Sequence, residues 1–166
     1  MQNLTLSALV CVSVGLGSAV QTQTMDPQVI APITKFIDAF NKGDMAGAAA
    51  THASEADLVI VDEVPPFLWR GAQALKTWAA DLEADAKKHG LTDQKVTLSP
   101  ATRVESNGRE AYVVVPAVFS YKQGNVAMRE NAHMTFALKE DAAGWLIHGW
   151  TWTGPKSPAA QGAAKK

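Results

Sequence analysis

Near its middle the chain reads Leu58-Val59-Ile60-Val61-Asp62-Glu63, an apolar run that ends in two acids. The run predicts a strand over residues 57–63, and strand alternation sends Asp62 and Glu63 to opposite faces. A carboxyl held against apolar surface has a raised pKa and can act as a base. We therefore predict that Asp62 faces a pocket as a catalytic base and that Glu63 faces solvent. The alternative is that Asp62 only caps the turn before Pro65-Pro66.

Helices are predicted on both sides of this strand. Asp26 is an N-cap followed by proline, and apolar residues at helical spacing predict a first helix from Pro27 to Asn41. Gly43-Asp44 supplies a stop and then a new N-cap, which predicts a short second helix over residues 45–51. After the proline loop, a third helix is predicted from Gly71 to Lys88.

The second half of the chain has the character of strands. Turn signals separate four predicted strands, near residues 94–105, 109–122, 126–139 and 145–153. Strands joined by short turns form an antiparallel meander, and strands of this length curl around a helix. Helices first and strands last predict an α+β fold.

Composition narrows the class of protein. A chain of 166 residues with 47% hydrophobic and 19% charged residues is typical of one soluble globular domain. The net charge is -1 and the basic residues are scattered, so we predict no nucleic-acid partner. No metal site is predicted, because the four histidines lack metal-ligand spacing. No cofactor is predicted either.

The N-terminus has the pattern of a targeting segment. The run Leu4 to Val20 is apolar or small, and Gly17-Ser18-Ala19 offers a cleavage site, so residues 1–24 are predicted to be a signal peptide or apolar leader. A single-pass anchor is the alternative. A cleaved signal would make the protein periplasmic or secreted, without stable membrane association, and would remove Cys11, the only cysteine. The domain is predicted over residues 25–155, with a flexible tail at 156–166.

The order of elements resembles the nuclear transport factor 2-like superfamily, and within it the SnoaL-like and ketosteroid-isomerase-like group. The resemblance covers about Val29 to Pro155. It is carried by the stretch from Phe36 to Asp44, the strand that leads to Asp62, the Arg70-Gly71 entry to the third helix and the late strand at His133-Met134-Thr135-Phe136. It implies a cone-shaped, curved antiparallel sheet that wraps about three N-terminal helices around a pocket.

The resemblance also implies what this chain lacks. Counting back from Gly71, Asp62 falls where ketosteroid isomerases hold their general base. The oxyanion tyrosine of those enzymes corresponds to Phe36, and their second donor, an aspartic acid, corresponds to Ala132. Losing one such donor can slow a reaction by about 100-fold or more, so the loss of both argues against steroid isomerisation.

Other residues are predicted to line the pocket. If Ala132 faces the pocket, strand alternation sends Glu130 there too, although Glu130 could instead pair with a cross-strand Lys or Arg. Tyr121 could supply a hydroxyl or could only pack. The predicted ligand-binding residues are Phe36, Phe40, Trp69, Trp78, Tyr121, Met128, Glu130 and Ala132.

The last strand allows two registers. In the one favoured by aligning Gly144 with the turn glycine of the family, Trp150 and Trp152 face outward, and such an apolar patch predicts a homodimer through the sheet. In the other register, both indoles line the pocket.

Two hypotheses of function follow. The first is an exported, cofactor-free isomerase, hydrolase or lyase that binds a small apolar molecule and uses Asp62 as general base. The second is a non-catalytic ligand-binding or dimerisation module.

Overall fold

The computed structural model describes residues 26–54 and 57–154. The predicted leader at residues 1–24 and the predicted tail at 156–166 lie outside this part of the chain. No helix in the described ranges is long and apolar enough to cross a membrane.

Three helices form where the sequence predicts them: α1 (Pro27–Lys42), α2 (Met45–Ala49) and α3 (Ala74–His89). Their boundaries are set by local chemistry. Asp26 accepts a hydrogen bond from the backbone N–H of Gln28, and Gly43 ends α1 in the left-handed conformation at φ 69°. The side chain of Asp44 accepts from Gly47 and starts α2.

The described residues form seven strands: β1 (Val59–Val61), β2 (Leu68–Arg70), β3 (Leu91–Leu98), β4 (Arg103–Asn107), β5 (Glu110–Gln123), β6 (Val126–Asp141) and β7 (Gly144–Thr153). They form one sheet in the order β2-β1-β7-β6-β5-β3, and β4 also pairs with β5. Among these seven strands, β1–β7 is the one parallel pair. The predicted α+β class with a curved, mainly antiparallel sheet is confirmed.

Two predictions of strands are wrong in detail. The strand predicted over 94–105 is two strands, β3 and β4, which pair with opposite ends of β5. Pro100, which has no backbone N–H, lies in the break between them. The strand β2 lies in the stretch that the sequence predicts to be the proline loop, because three residues are too few to show a period.

In β7, residues from both of the predicted faces point into the core. Ala137 pairs with Gly149 while Leu138 pairs with Ile147, so the pairing with β6 skips His148 in a β-bulge. A bulge reverses the alternation, and Ile147 and Trp150 are therefore both buried. The prediction that Trp150 and Trp152 face outward is wrong.

The core lies between the inner face of the sheet and the helices. Its largest fully buried side chains come from α1, from Leu58 and Ile60, and from β5 to β7: Phe36, Phe136, Ile33, Leu58, Ile60, Ile147, Val29 and Val113. Burying one such side chain stabilises a fold by roughly 1.5–3 kcal/mol. The core fixes α1 against the sheet and so positions one wall of the cavity described next.

Candidate functional site

A partly open cavity of about 230 Å³ lies between α1, α3 and the inner face of the sheet. It is smaller than the roughly 300–1,000 Å³ of pockets for drug-sized ligands, so it suits a small molecule. Seven aromatic side chains line it: Phe36, Phe40, Trp78, Phe119, Tyr121, Trp150 and Trp152. Polar groups from the β1–β2 hairpin, β5 and β6 interrupt this aromatic surface.

Asp62 is held in the cavity wall by three hydrogen bonds. Its backbone N–H donates to the carbonyl of Phe67 at 3.2 Å and closes the β1–β2 hairpin. The carboxylate accepts from the indole N–H of Trp78 at Oδ2 and from the N–H of Glu63 at Oδ1, each at 2.7 Å. The position and orientation of this carboxyl are therefore fixed by the hairpin and by α3.

The pKa of Asp62 is raised above its usual value of 3.8. Burial is the largest cause, because the charged form loses its hydration. The hydrogen bonds from Trp78 and Glu63 act in the opposite direction, and the negative charge of Glu130 adds a smaller upward effect. A carboxyl in such surroundings is a better proton acceptor once ionised than an exposed one.

Glu63 lines the same cavity as Asp62, so the prediction that it faces solvent is wrong. The strand β1 ends at Val61, and the alternation of side chains does not continue beyond it. The two acids of the opening stretch therefore converge instead of separating.

Glu130 and Tyr121 form a second polar group in the cavity. Tyr121 pairs with Met128, so Glu130 is its diagonal neighbour on β6, and the phenol O–H donates to Glu130 Oε1 at 3.0 Å. Burial, this hydrogen bond and the charges of Glu130 and Glu63 raise the pKa of Tyr121 to about 12. The phenol therefore stays protonated at neutral pH, and Tyr121 is one hydrogen-bond partner of Glu130.

The sequence of the chain matches the model of a known protein family. The SnoaL-like domain family matches residues 29–150. The chain belongs to the SnoaL-like family. No curated protein matches it significantly in sequence.

Solved structures share the fold of this SnoaL-like chain. A ketosteroid isomerase-like protein from Erwinia carotovora atroseptica is 17% identical, with 77% of this chain and 94% of that one covered and a TM-score of 0.59. A nuclear transport factor 2-like protein from Salmonella enterica serovar Typhimurium is 12% identical, with 84% and 95% covered and a TM-score of 0.63. A further protein of this kind, with a cystatin-like fold, from Novosphingobium aromaticivorans is 15% identical, with 84% and 88% covered and a TM-score of 0.63. At these identities the likeness shows the fold alone.

The structure brings together most of the residues that the sequence singled out. Six of them line the SnoaL-like cavity: Phe36, Phe40, Asp62, Trp78, Tyr121 and Glu130. Phe36 contributes a ring and no hydroxyl. It packs against Trp150 at 5.6 Å and Trp78 at 6.2 Å between ring centroids.

Three predicted ligand-binding residues do not line the cavity. Trp69 is buried and its indole N–H donates to Asp81 at 2.8 Å, which occupies its polar edge. Ala132 is buried under Gly154, where even a methyl group on the glycine would lie 2.8 Å from the Ala132 Cβ. Met128 lies on the expected face of β6 and is buried outside the cavity wall.

Trp150 also lines the cavity, and its orientation is left open by the sequence, which allows two registers of the last strand. It is 3% exposed, and its ring meets that of Trp78 edge-on at 4.9 Å. Its Nε1 is buried without a hydrogen-bond partner among the described residues. The bulge at His148 turns Trp150 inward. The sequence could have predicted this orientation only with a pattern that indicates the bulge.

His52 is a second buried titratable group, behind the cavity wall. Its ring meets Phe36 edge-on at 4.7 Å, and Nδ1–H donates to the carbonyl of Ala48 at 2.9 Å. Burial lowers the pKa of His52 from 6.5 to about 4, although the bond to Ala48 acts to raise it. The imidazole is therefore neutral at pH 7, and it does not line the cavity.

Proposed function

We propose that this SnoaL-like protein binds a small apolar molecule in its cavity and uses Asp62 as general base in a cofactor-free reaction. One observation carries the proposal: a carboxyl with a burial-raised pKa lines an otherwise largely aromatic cavity and is fixed there by Trp78. Perturbed acids in apolar cavities are the usual signature of proton-transfer sites.

The geometry favours proton transfer over binding through charge alone. Trp78 and the Glu63 amide each use one lone pair of the carboxylate, and each oxygen has two, so Asp62 can still accept a ligand proton. Aromatic walls limit the water that would compete for that proton. Base-catalysed isomerisation, hydrolysis and elimination each begin with a proton transfer of this kind.

Steroid isomerisation is not proposed. Phe36 supplies no oxyanion donor in the cavity wall, and Ala132 is covered by Gly154. The same observation favours a second candidate function, in which Asp62 orients a ligand that is bound but not turned over.

The proposal includes export, which rests on the apolar run from Leu4 to Val20. It places the protein in the periplasm or outside the cell. A homodimer through the sheet is also a prediction, but outward Trp150 and Trp152 no longer support it, because both line the cavity.

The test is a screen of small neutral cyclic compounds with the wild-type protein and Asp62→Asn. Thermal shift reports binding, and product analysis reports turnover. Asp62→Asn should bind the same compounds and lose turnover by about 100-fold or more. Asp85→Asn is the matched control, since it changes another carboxyl of the cavity lining.

Equal turnover by wild type and Asp62→Asn would overturn the role of Asp62. Binding without any turnover by the wild type would favour the second candidate. Absence of binding across the screen would overturn both.

A further inference from the structure

The cavity extends along one face of α3. Five residues of this helix line it, at the spacing of a single helical face: Trp78, Leu82, Asp85, Ala86 and His89. At about 1.5 Å per residue, this face is about 16 Å long from Trp78 to His89. Asp62 accepts a hydrogen bond from Trp78 and so lies at one end, whereas His89 lies at the other. A ligand that fills the cavity is therefore elongated, and its two ends meet different surroundings.

The end near His89 is built where three elements meet. The helix α3 ends at His89, and β3 begins at Leu91. Leu91 pairs with Gln123 at the end of β5, and the carbonyl of Gly90 accepts from the N–H of Gly124 at 3.4 Å. These contacts bring His89, Leu91 and Gln123 together in the cavity lining.

A β-bulge in β3 turns Gln94 toward the same cavity. The pairing of β3 with β5 shifts after Thr92, and Asp93 in the bulge forms an ion pair with Lys122 at 2.7 Å. Leu91 and Gln94 are an odd number of positions apart, so regular alternation would put them on opposite faces. Both line the cavity. Bulges commonly re-aim a side chain in this way.

Two neutral amides supply hydrogen-bonding groups at this end. The side chains of Gln94 and Gln123 are half-buried, and neither is hydrogen-bonded to another described residue. Each amide has an acceptor oxygen and two N–H donors. Nδ1 of His89 lies 3.0 Å from the carbonyl oxygen of Asp85 and 3.2 Å from its Oδ2, which leaves Nε2 for a ligand. A ligand group that both donates and accepts matches this set.

The end near Asp62 has a different lining. The ring of Trp78 meets Trp150 edge-on at 4.9 Å and lies 6.2 Å from Phe36, and all three line the cavity. Aromatic rings prefer such edge-to-face and offset arrangements with further rings. This end therefore suits an apolar ring of the ligand.

We propose that the cavity takes an elongated ligand, with an apolar ring beside Asp62 and a carboxamide or hydroxyl group at the other end, held by Gln94 and Gln123. This inference rests on the proposed function and narrows its ligand class. The two amides act as specificity-determining residues. A ligand that displaces water from them without replacing its hydrogen bonds loses affinity.

The test compares hydrocinnamamide with methyl hydrocinnamate by calorimetry at pH 7. Both probes have a phenyl ring on a short chain and end in a carbonyl group, but only the amide has N–H donors. The amide should bind about fivefold more tightly, the effect of one net hydrogen bond. An ester that binds as tightly as the amide would overturn the inference while leaving the proposed apolar pocket intact.

Gln94→Met should remove most of the preference for the amide, because methionine keeps an unbranched side chain and loses the amide group. Gln73→Met is the matched control, since Gln73 is exposed at the start of α3 and lies outside the cavity lining. It should keep the preference. Equal loss of preference in both variants would overturn the inference. If Gln94→Met does not fold, as judged by thermal melting, Gln123→Met replaces it.

Asp62→Asn tests the orientation of the ligand. It should keep the preference for the amide, because Asp62 lies at the opposite end of the cavity. Loss of the preference in Asp62→Asn but not in Gln94→Met would mean that the amide lies beside Asp62, and would overturn the inference. Absence of binding by both probes would overturn the ligand class, and the screen of cyclic compounds then judges the proposed function separately.

Discussion

Asp62 is half-buried and His52 is buried, and burial shifts the pKa of each toward its neutral form. They differ in access. Asp62 lines the cavity, whereas His52 lies behind the Phe36 ring and donates to the carbonyl of Ala48. A perturbed pKa therefore does not identify a functional group by itself. Contact with a space that a ligand can enter separates the candidate base from a core residue.

Removal of the wall between the two regions should have the largest effect. Phe36 is 1% exposed, and Phe36→Ala should lower the free energy of unfolding by about 3–5 kcal/mol. It should also open His52 to the cavity and raise its pKa toward 6.5, as measured by NMR titration. Phe136→Ala is the control, because it removes an equally buried ring that makes no ring contact with His52. A His52 pKa that rises equally in both variants would contradict the claim that the Phe36 ring separates His52 from the cavity.

The core side should show the next largest effect, in the pH dependence of stability. The pKa of His52 is about 4 in the folded state and 6.5 when unfolded. The contribution of neutral His52 to the free energy of unfolding is therefore complete above pH 6.5. It is lost as the pH falls to about 4, by about 3 kcal/mol in total. The free energies of unfolding of wild type and His52→Asn, measured with denaturant, should converge over this range. The asparagine keeps a donor for the carbonyl of Ala48. A difference that does not vary with pH would contradict a sealed imidazole.

In the cavity, the pKa of Asp62 should change when one of its hydrogen-bond donors is removed. Trp78→Phe removes the N–H that lowers the pKa of Asp62, so that pKa should rise further and stability should fall by about 1 kcal/mol or more. Trp69→Phe removes an equivalent indole bond, to Asp81, and should leave the pKa of Asp62 unchanged. Carboxyl chemical shifts measured across a pH titration distinguish the two variants. An unchanged Asp62 pKa in Trp78→Phe would contradict the hydrogen bond.

The smallest effect should come from Glu130. Its charge is the weakest of the causes that act on Asp62, so Glu130→Gln should lower the pKa of Asp62 slightly. Tyr121→Phe is the control, since it removes the hydrogen bond to Glu130 and keeps the charge. A rise in the Asp62 pKa after Glu130→Gln would mean that the two carboxyls do not repel each other in the cavity.

The parts that sequence could predict are those fixed by neighbours along the chain. Asp26, Gly43 and Asp44 act within a few residues of themselves, and their helix boundaries appear as predicted. The place of Asp62 at the end of a buried strand is also local. The family resemblance, through Ala132, also predicts that Glu130 faces the pocket, and Glu130 and Tyr121 line the same cavity as Asp62.

The remaining features depend on contacts that are distant in sequence. The bulge at His148 arises where Gly149 approaches β1: a Cβ at Gly149 would lie 3.0 Å from the carbonyl oxygen of Val59. The pairing of β7 with β1 and β6, which the pattern of β7 alone does not reveal, gives the register in which Trp150 is buried. Likewise, the indole N–H of Trp69 donates to Asp81 on α3, a contact that no local pattern indicates.

The central claim is that Asp62 is a half-buried carboxyl of the cavity with a raised pKa. It is tested most directly by an NMR titration of the side-chain carboxyl carbons, with the Asp62 signal assigned from its absence in Asp62→Asn. The structure predicts a midpoint for Asp62 clearly above 3.8, and a matching loss of stability as the pH rises through that midpoint, since the folded state favours the protonated form. A midpoint at or below 3.8 would contradict the account.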